Sequence, residues 1–117
     1  MMEHAWQSYI EDTYAVTGEW LFARDPATCV FRHGSNRKWF AVIMEIPRCK
    51  LGLPGGEAIC VMNVKCDPRM IGSFRMEPGF FPAYHMSKRH WVSVFLDGSV
   101  EKETVEKLLE VSFVVTG

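Results

Sequence analysis

The residues of this chain that could take part in chemistry are mostly cationic, and they are concentrated in its middle. Positions 32 to 90 hold ten lysine and arginine residues against four carboxylates, whereas the two flanking segments hold three against ten. Such an asymmetry can mark an anionic partner for the middle segment, although a solvated surface can produce it as well. The net charge of −1 excludes a protein that is strongly basic throughout.

Two short blocks carry much of this charge, and aromatic residues accompany them. The basic residues of the two blocks are Arg32, His33, Arg37 and Lys38, followed by Lys88, Arg89 and His90. Trp39, Tyr84 and Trp91 lie close to them in sequence. A positive groove with aromatic side chains can hold nucleic acid through phosphate contacts and base stacking. The competing interpretation buries both tryptophans in the core and leaves the charges solvated at strand ends.

Other kinds of site find little support in the sequence. Cys66 and the histidines form no recognisable nucleophile–base motif. His85 and His90 are five residues apart with two basic residues between them, which disfavours a metal cation. Residues 53–56 (LPGG) lack the Lys-Ser/Thr ending of a phosphate-binding loop. We therefore expect no catalytic residues, no metal and no cofactor, and a binding domain is favoured over an enzyme.

Cysteine usage and hydropathy indicate a cytoplasmic protein. The four cysteines contain no C-x-x-C pair, so we expect free thiols in a reducing compartment. The N-terminal residues lack the apolar stretch of a signal peptide. The longest apolar run, residues 39–44, is far shorter than the ~20 residues that span a bilayer, so no membrane partner is expected.

The elements that position the basic blocks follow from periodicity and turn signals. Trp6, Ile10 and Tyr14 predict a helix over residues 3–17, with Gly18 as its C-cap. Residues 34–37 (GSNR) are turn formers, and they predict a hairpin between strands at 28–33 and 38–46. The run at 39–44 is apolar on both faces, which is typical of a strand covered on both sides.

The second half of the chain contains two further strands and two helices. Strands are predicted at 58–64 and 90–96, with a long connection over 77–89. Asp67 and Pro68 are expected to begin a short helix, and Ser99 to cap a final one. Val105, Leu108, Leu109 and Phe113 form the predicted buried stripe of that final helix. We therefore predict one α+β domain over residues 1–117, with a curved antiparallel sheet, N- and C-terminal helices and a short internal helix.

Several motifs resemble the MmcQ/YjbR family. They are residues 31–41 (FRHGSNRKWFA), 51–53 (LGL), 63–68 (NVKCDP), 78–91 (PGFFPAYHMSKRHW) and 96–98 (LDG). The resemblance runs from about residue 20 to residue 117. It implies a small α+β fold with a curved antiparallel sheet and flanking helices. It also implies a family without an established enzymatic activity, for which DNA binding through two hairpin wings beside a helix has been proposed.

Weak DNA binding through the basic hairpin tips is the leading functional hypothesis. The residues expected to bind nucleic acid or another anion are Arg32, Arg37, Lys38, Lys65, His85, Lys88, Arg89 and His90. A second hypothesis is a protein-interaction module whose exposed aromatics lie at residues 80–84. A third is a small-anion pocket formed by Lys65, His85, Lys88 and His90. An enzyme is the remaining alternative, although no nucleophile–base pair supports it.

Overall fold

Three helices and an antiparallel sheet form the described part of the chain, which in this computed structural model comprises residues 2–84 and 86–117. In chain order the α-helices and strands are α1 (Met2–Tyr14), β1 (Cys29–Arg32), β2 (Trp39–Pro47), β3 (Ala58–Lys65), α2 (Pro68–Phe74), β4 (Phe80–Pro82), β5 (Trp91–Phe95) and α3 (Lys102–Thr116), with a 3-10 turn at Arg48–Leu51 between β2 and β3. The five strands are ordered β1-β2-β3-β5-β4, and the sheet is open. The predicted α+β class with terminal helices and a short internal helix is confirmed.

The two faces of the sheet are covered differently. One face packs against the helices, with Ile10 of α1, Ile71 of α2 and Leu109 of α3 in the same core. On the opposite face, residues such as Val42, Met44 and Val61 are covered by connecting segments. We call this second surface the loop-covered face. Strand β2 is therefore buried on both sides, as its apolar run predicted.

The hairpin and the short helix form as the turn residues predicted. Strands β1 and β2 pair antiparallel around residues 33–38, with a register irregularity between Phe31 and Arg32. Asp67 caps α2 by accepting a hydrogen bond from the backbone N–H of Arg69, and Pro68 occupies its first turn. None of the helices in the described chain combines the length and the apolar composition needed to cross a bilayer.

The predicted end of the first helix is wrong. α1 ends at Tyr14, and the residue that follows it in a left-handed conformation is Ala15, not the predicted C-cap Gly18. Gly18 is instead required by close packing, because a Cβ there would lie 2.5 Å from the Cys29 sulfur. Its backbone N–H donates to Glu11 Oε2 at 2.8 Å, which fastens the connection back onto α1.

Two further boundaries in the second half of the chain differ from prediction. The connection at 77–89 contains a strand, β4, which pairs antiparallel with β5 at the edge of the sheet. Ser99 does not cap α3, because its side chain and its N–H donate to Asp97 Oδ1. The residue at the N-cap of α3 is Glu101, whose side chain makes no capping hydrogen bond.

Candidate nucleic-acid interface

Antiparallel pairing brings the predicted basic residues to one end of the sheet. β1 ends at Arg32, which pairs with Trp39 at the beginning of β2. β3 ends at Lys65, which pairs with Trp91 at the beginning of β5. We call this region the basic end, and its members are Arg32, Arg37, Lys38, Lys65, Lys88, Arg89 and His90. His85, which was predicted to belong to it, lies outside the described residues.

The tip of the β1–β2 hairpin holds an arginine in an unfavourable backbone conformation. The turn is closed by His33 N–H to Lys38 O at 2.9 Å and Arg37 N–H to His33 O at 3.1 Å. Arg37 has φ +65°, a region in which a residue with a Cβ is strained and glycine is not. Its side chain is 63% exposed. Local stability therefore does not explain an arginine at this position.

Arg32 is held by an acidic partner. Its Nε and Nη2 each donate to a carboxylate oxygen of Glu19 at 2.7 Å, and the pair is partly buried. The hydrogen bond from Arg32 lowers the pKa of Glu19. Glu19 also bridges to β1 through two backbone hydrogen bonds with Val30. Arg32 therefore helps to hold the segment before β1 against the sheet. Its charge is neutralised by Glu19 to a greater extent than the charges of the neighbouring basic residues.

Four other basic side chains have no such partner. Among the described residues, none of Lys38, Lys65, Lys88 and Arg89 has a carboxylate oxygen within 4.0 Å. Lys38, Lys88 and Arg89 are exposed, and Lys65 is half-buried. His90 is half-buried, and its carbonyl accepts from Cys66 N–H at 2.8 Å, which places the 88–90 turn beside the end of β3.

The hairpin is fixed against the last turn of α3. Asn36 Nδ2 donates to the carbonyl oxygen of Thr116 at 2.9 Å, while its Oδ1 accepts from Lys38 N–H at 2.9 Å. The ring of buried His33 lies 4.2 Å from that of Phe113, and its Nε2 is 2.7 Å from Thr116 Oγ1. Lys65 N–H donates to Ser112 Oγ at 2.9 Å, so the end of β3 is fixed to the same helix.

Most of the aromatic residues near the basic blocks are used in packing. Trp91 is buried, and Trp39 is half-buried on the loop-covered face. Phe80 is buried and stacks on Phe74, and Phe81 stacks on Phe95 at 4.6 Å. The aromatics of residues 80–84 thus pack against the sheet, which weakens the case for that loop as an interaction surface.

A buried polar network on the loop-covered face was missed by the sequence reasoning. Asn63 is fully buried in β3 and donates from Nδ2 to the carbonyl oxygen of Tyr84 at 3.1 Å. Its Oδ1 accepts a hydrogen bond from the Ser93 hydroxyl. The Ser93 Oγ in turn accepts a hydrogen bond from Tyr84 N–H at 3.3 Å. The signal available in sequence was one asparagine inside an apolar strand. The network fixes the connection that leads toward the 88–90 turn.

The two buried cysteines, Cys29 and Cys66, are not activated as nucleophiles. Burial raises the pKa of Cys66 to about 11. Burial, followed by the charge of Glu11, raises the pKa of Cys29 to about 11 as well. Both thiols are therefore neutral near pH 7, and a neutral thiol is a poor nucleophile. No cluster of three or more potential metal ligands occurs in the described chain.

The family is decided by comparison with known proteins. The model of the YjbR family matches residues 11–114. The chain belongs to the YjbR family. It is 32% identical over 108 residues to YyaQ of Bacillus subtilis, an uncharacterised protein, and the match covers 92% of each chain.

Solved structures share the fold of this chain. A crystal structure of a Pseudomonas syringae protein shares 36% identity with a TM-score of 0.97, covering 100% of both chains. The crystal structure of protein DR2400 from Deinococcus radiodurans is 24% identical in sequence and superposes with a TM-score of 0.70. The match covers 92% of this chain and 75% of DR2400. This last likeness shows the fold alone.

Proposed function

We propose that this YjbR-family protein is a binding domain that contacts nucleic-acid phosphates with the basic end of its sheet. The observation that carries the proposal is the gathering there of Lys38, Lys65, Lys88 and Arg89 without carboxylate partners among the described residues. Clustered cations repel one another, and phosphate groups relieve that repulsion while they release counterions. Arg37 adds a fifth, exposed charge at the hairpin tip, where its Nη2 makes a long ion pair with Glu19 Oε1 at 3.9 Å.

The spacing of the two basic turns suits a nucleic-acid backbone. The turn at 34–37 precedes β2 and the turn at 88–90 precedes β5, and β3 lies between these two strands. Neighbouring strands are about 4.8 Å apart, so the two turns are separated by about 10 Å at the sheet. The grooves of duplex DNA are about 6 and 12 Å wide, which is a comparable distance.

The rigidity of the site supports the same proposal. Asn36 and His33 bind the end of α3, and Asn63 fixes the segment leading to the second turn. Side chains on fixed elements lose less conformational freedom on binding than side chains on mobile loops. About five phosphate contacts are too few for tight binding, so we expect modest affinity that falls as salt rises.

The proposal is tested by titrating a fluorescent DNA duplex of about 25 base pairs at low salt. We expect saturable binding that is weakened in the double variant Arg37→Ala/Lys38→Ala. The matched control is Lys50→Ala/Arg75→Ala, which removes the same charge from the opposite end of the sheet. Absence of binding at low salt, or equal loss in both double variants, would overturn the proposal.

A further inference from the structure

A cavity lies on the loop-covered face between the segment that precedes β1 and strand β2. Its volume is about 440 Å³. The residues that line it are Phe22, Arg24, Asp25, Thr28, Trp39, Val42, Met44 and Met86. Small-molecule sites are typically cavities of about 300–1,000 Å³ with mostly apolar walls and a few polar groups, and this cavity has that composition.

One wall of the cavity is formed by Thr28, which is 3% exposed. Its Oγ1 makes no hydrogen bond in the described chain, and its backbone N–H donates to Asp25 O at 3.1 Å. Because this oxygen is itself buried, Thr28 contributes packing surface to the wall, and the polar contacts of a ligand fall to Arg24 and Asp25.

The remaining walls suit a flat molecule with hydrogen-bonding groups along its edge. The rings of Phe22 and Trp39 are 6.3 Å apart at 81°, so a planar ring stacked on one meets the other edge to face. Arg24 is a donor and Asp25 an acceptor, and neither has an ion-pair partner among the described residues. Met44 and Met86 add flexible apolar surface.

We infer that this cavity binds a nucleobase. A base has two stacking faces, which the rings of Phe22 and Trp39 complement. It also has an edge of donors and acceptors, which the charged groups of Arg24 and Asp25 complement. The base can belong to a free nucleoside or to an unpaired position of a strand. No cation of the basic end lines the cavity, so the inference does not depend on phosphate binding there. Trp39 directly follows Lys38, so a strand bound at the basic end has its bases within reach of the cavity.

The direct test is to titrate the full chain with adenosine, guanosine, cytidine and thymidine. Chemical-shift changes of the backbone amides in NMR spectra detect the binding. We expect saturable binding of at least one nucleoside. Asp25→Asn converts one carboxylate acceptor into a donor and keeps the shape, so binding should weaken roughly 3- to 10-fold, the value of one hydrogen bond. Stability should not fall, because the Asp25 carboxylate has no ion-pair partner among the described residues. Phe22→Ala removes stacking surface and should weaken binding roughly 5-fold or more.

The control variant is Trp20→Ala, which removes an aromatic ring from the same segment. Trp20 is 55% exposed and lines a different cavity, together with Gln7, Pro26 and Ala27. Binding of the nucleoside should be unchanged in this variant. The inference is overturned if none of the four nucleosides binds saturably, or if Asp25→Asn and Phe22→Ala both bind as the wild type does.

A second arm distinguishes the two sources of the base. Oligothymidylate is compared with an abasic strand of the same length, which carries the same phosphates. Tighter binding of oligothymidylate that disappears in Phe22→Ala supports the cavity and assigns it to a strand. Equal binding of both strands, with nucleoside binding retained, supports the cavity and assigns it to a free nucleoside. Nucleoside binding without duplex binding would contradict only the proposal for the basic end.

Discussion

Asn36 Nδ2 donates a hydrogen bond to the carbonyl oxygen of Thr116 at 2.9 Å, which joins the β1–β2 hairpin to the last turn of α3. The last carbonyl groups of a helix have no partner within it, so a side-chain amide that reaches one of them acts as a cap. The hairpin that carries Arg37 and Lys38 is consequently fixed to the helix layer.

Removal of this cap should loosen the hairpin. Asn36→Ala loses the bond to Thr116 and the bond from Lys38 N–H, and we expect unfolding free energy to fall by about 1 kcal/mol. Urea denaturation measures the change, and Ser35→Ala at the neighbouring exposed turn position is the control. Amide exchange at residues 34–38 should accelerate in Asn36→Ala. Equal stability of the two variants would show that the cap contributes nothing.

Two substitutions of Arg37 should differ in their effect on stability but not in their effect on DNA binding. Arg37→Ala and Arg37→Gly remove the same charge, but only glycine relieves the strain at φ +65°. We expect the glycine variant to be more stable than the alanine variant by about 1 kcal/mol. Both variants should lose the same share of DNA affinity. A glycine variant that binds DNA as the wild type does would show that the Arg37 side chain has no part in binding.

The buried network at Asn63 should be strongly coupled. Asn63→Ala removes the hydrogen bonds that Asn63 makes to the Tyr84 carbonyl and from the Ser93 hydroxyl, and it creates a cavity, so we expect a loss of about 2–4 kcal/mol of unfolding free energy. A double-mutant cycle with Ser93→Ala should give a coupling energy above about 0.5 kcal/mol. Additive effects would mean that the two side chains act independently.

The order in which the cysteines react with an alkylating reagent should follow their exposure to solvent. Since burial raises the pKa of Cys66 and of Cys29 to about 11, both are almost wholly protonated at pH 8. The exposed Cys49 should therefore react first with iodoacetamide, and mass spectrometry of the digested protein locates the label. Labelling in denaturant, where all four cysteines are accessible, is the control. Labelling of Cys66 ahead of Cys49 in the folded protein would contradict the burial seen here.

The predictable parts of the fold are those whose cause is local. The GSNR turn and the Asp67-Pro68 pair specify a hairpin and a helix start through their own backbone preferences, and both form where predicted. Strand β4 has three residues with proline at its end, and it exists because it pairs with β5, a contact that no local pattern reveals. The local pattern predicts a cap at Gly18, but the constraint on this glycine is the Cys29 sulfur, which belongs to a residue eleven positions away.

The same distinction applies to the candidate sites. Charge counts identified the basic end, since antiparallel strands bring together the ends that carry the two blocks. The ion pair between Glu19 and Arg32 depends on a backbone bridge between Glu19 and Val30. Glu19 lies outside any regular helix or strand, so the sequence pattern does not predict this pair. The cavity at Thr28 could not be predicted, because its walls come from the irregular segment at 22–28, from β2 and from Met86.

The salt dependence of duplex binding tests the central claim most directly. If Arg37, Lys38, Lys65, Lys88 and Arg89 each contact a phosphate, the logarithm of the association constant should fall against log salt with a slope of about −4.5. Lys88→Ala/Arg89→Ala should reduce the slope to about −2.7, and Lys50→Ala/Arg75→Ala should leave it at the wild-type value. A slope that is the same in all three proteins would contradict phosphate binding by the basic end.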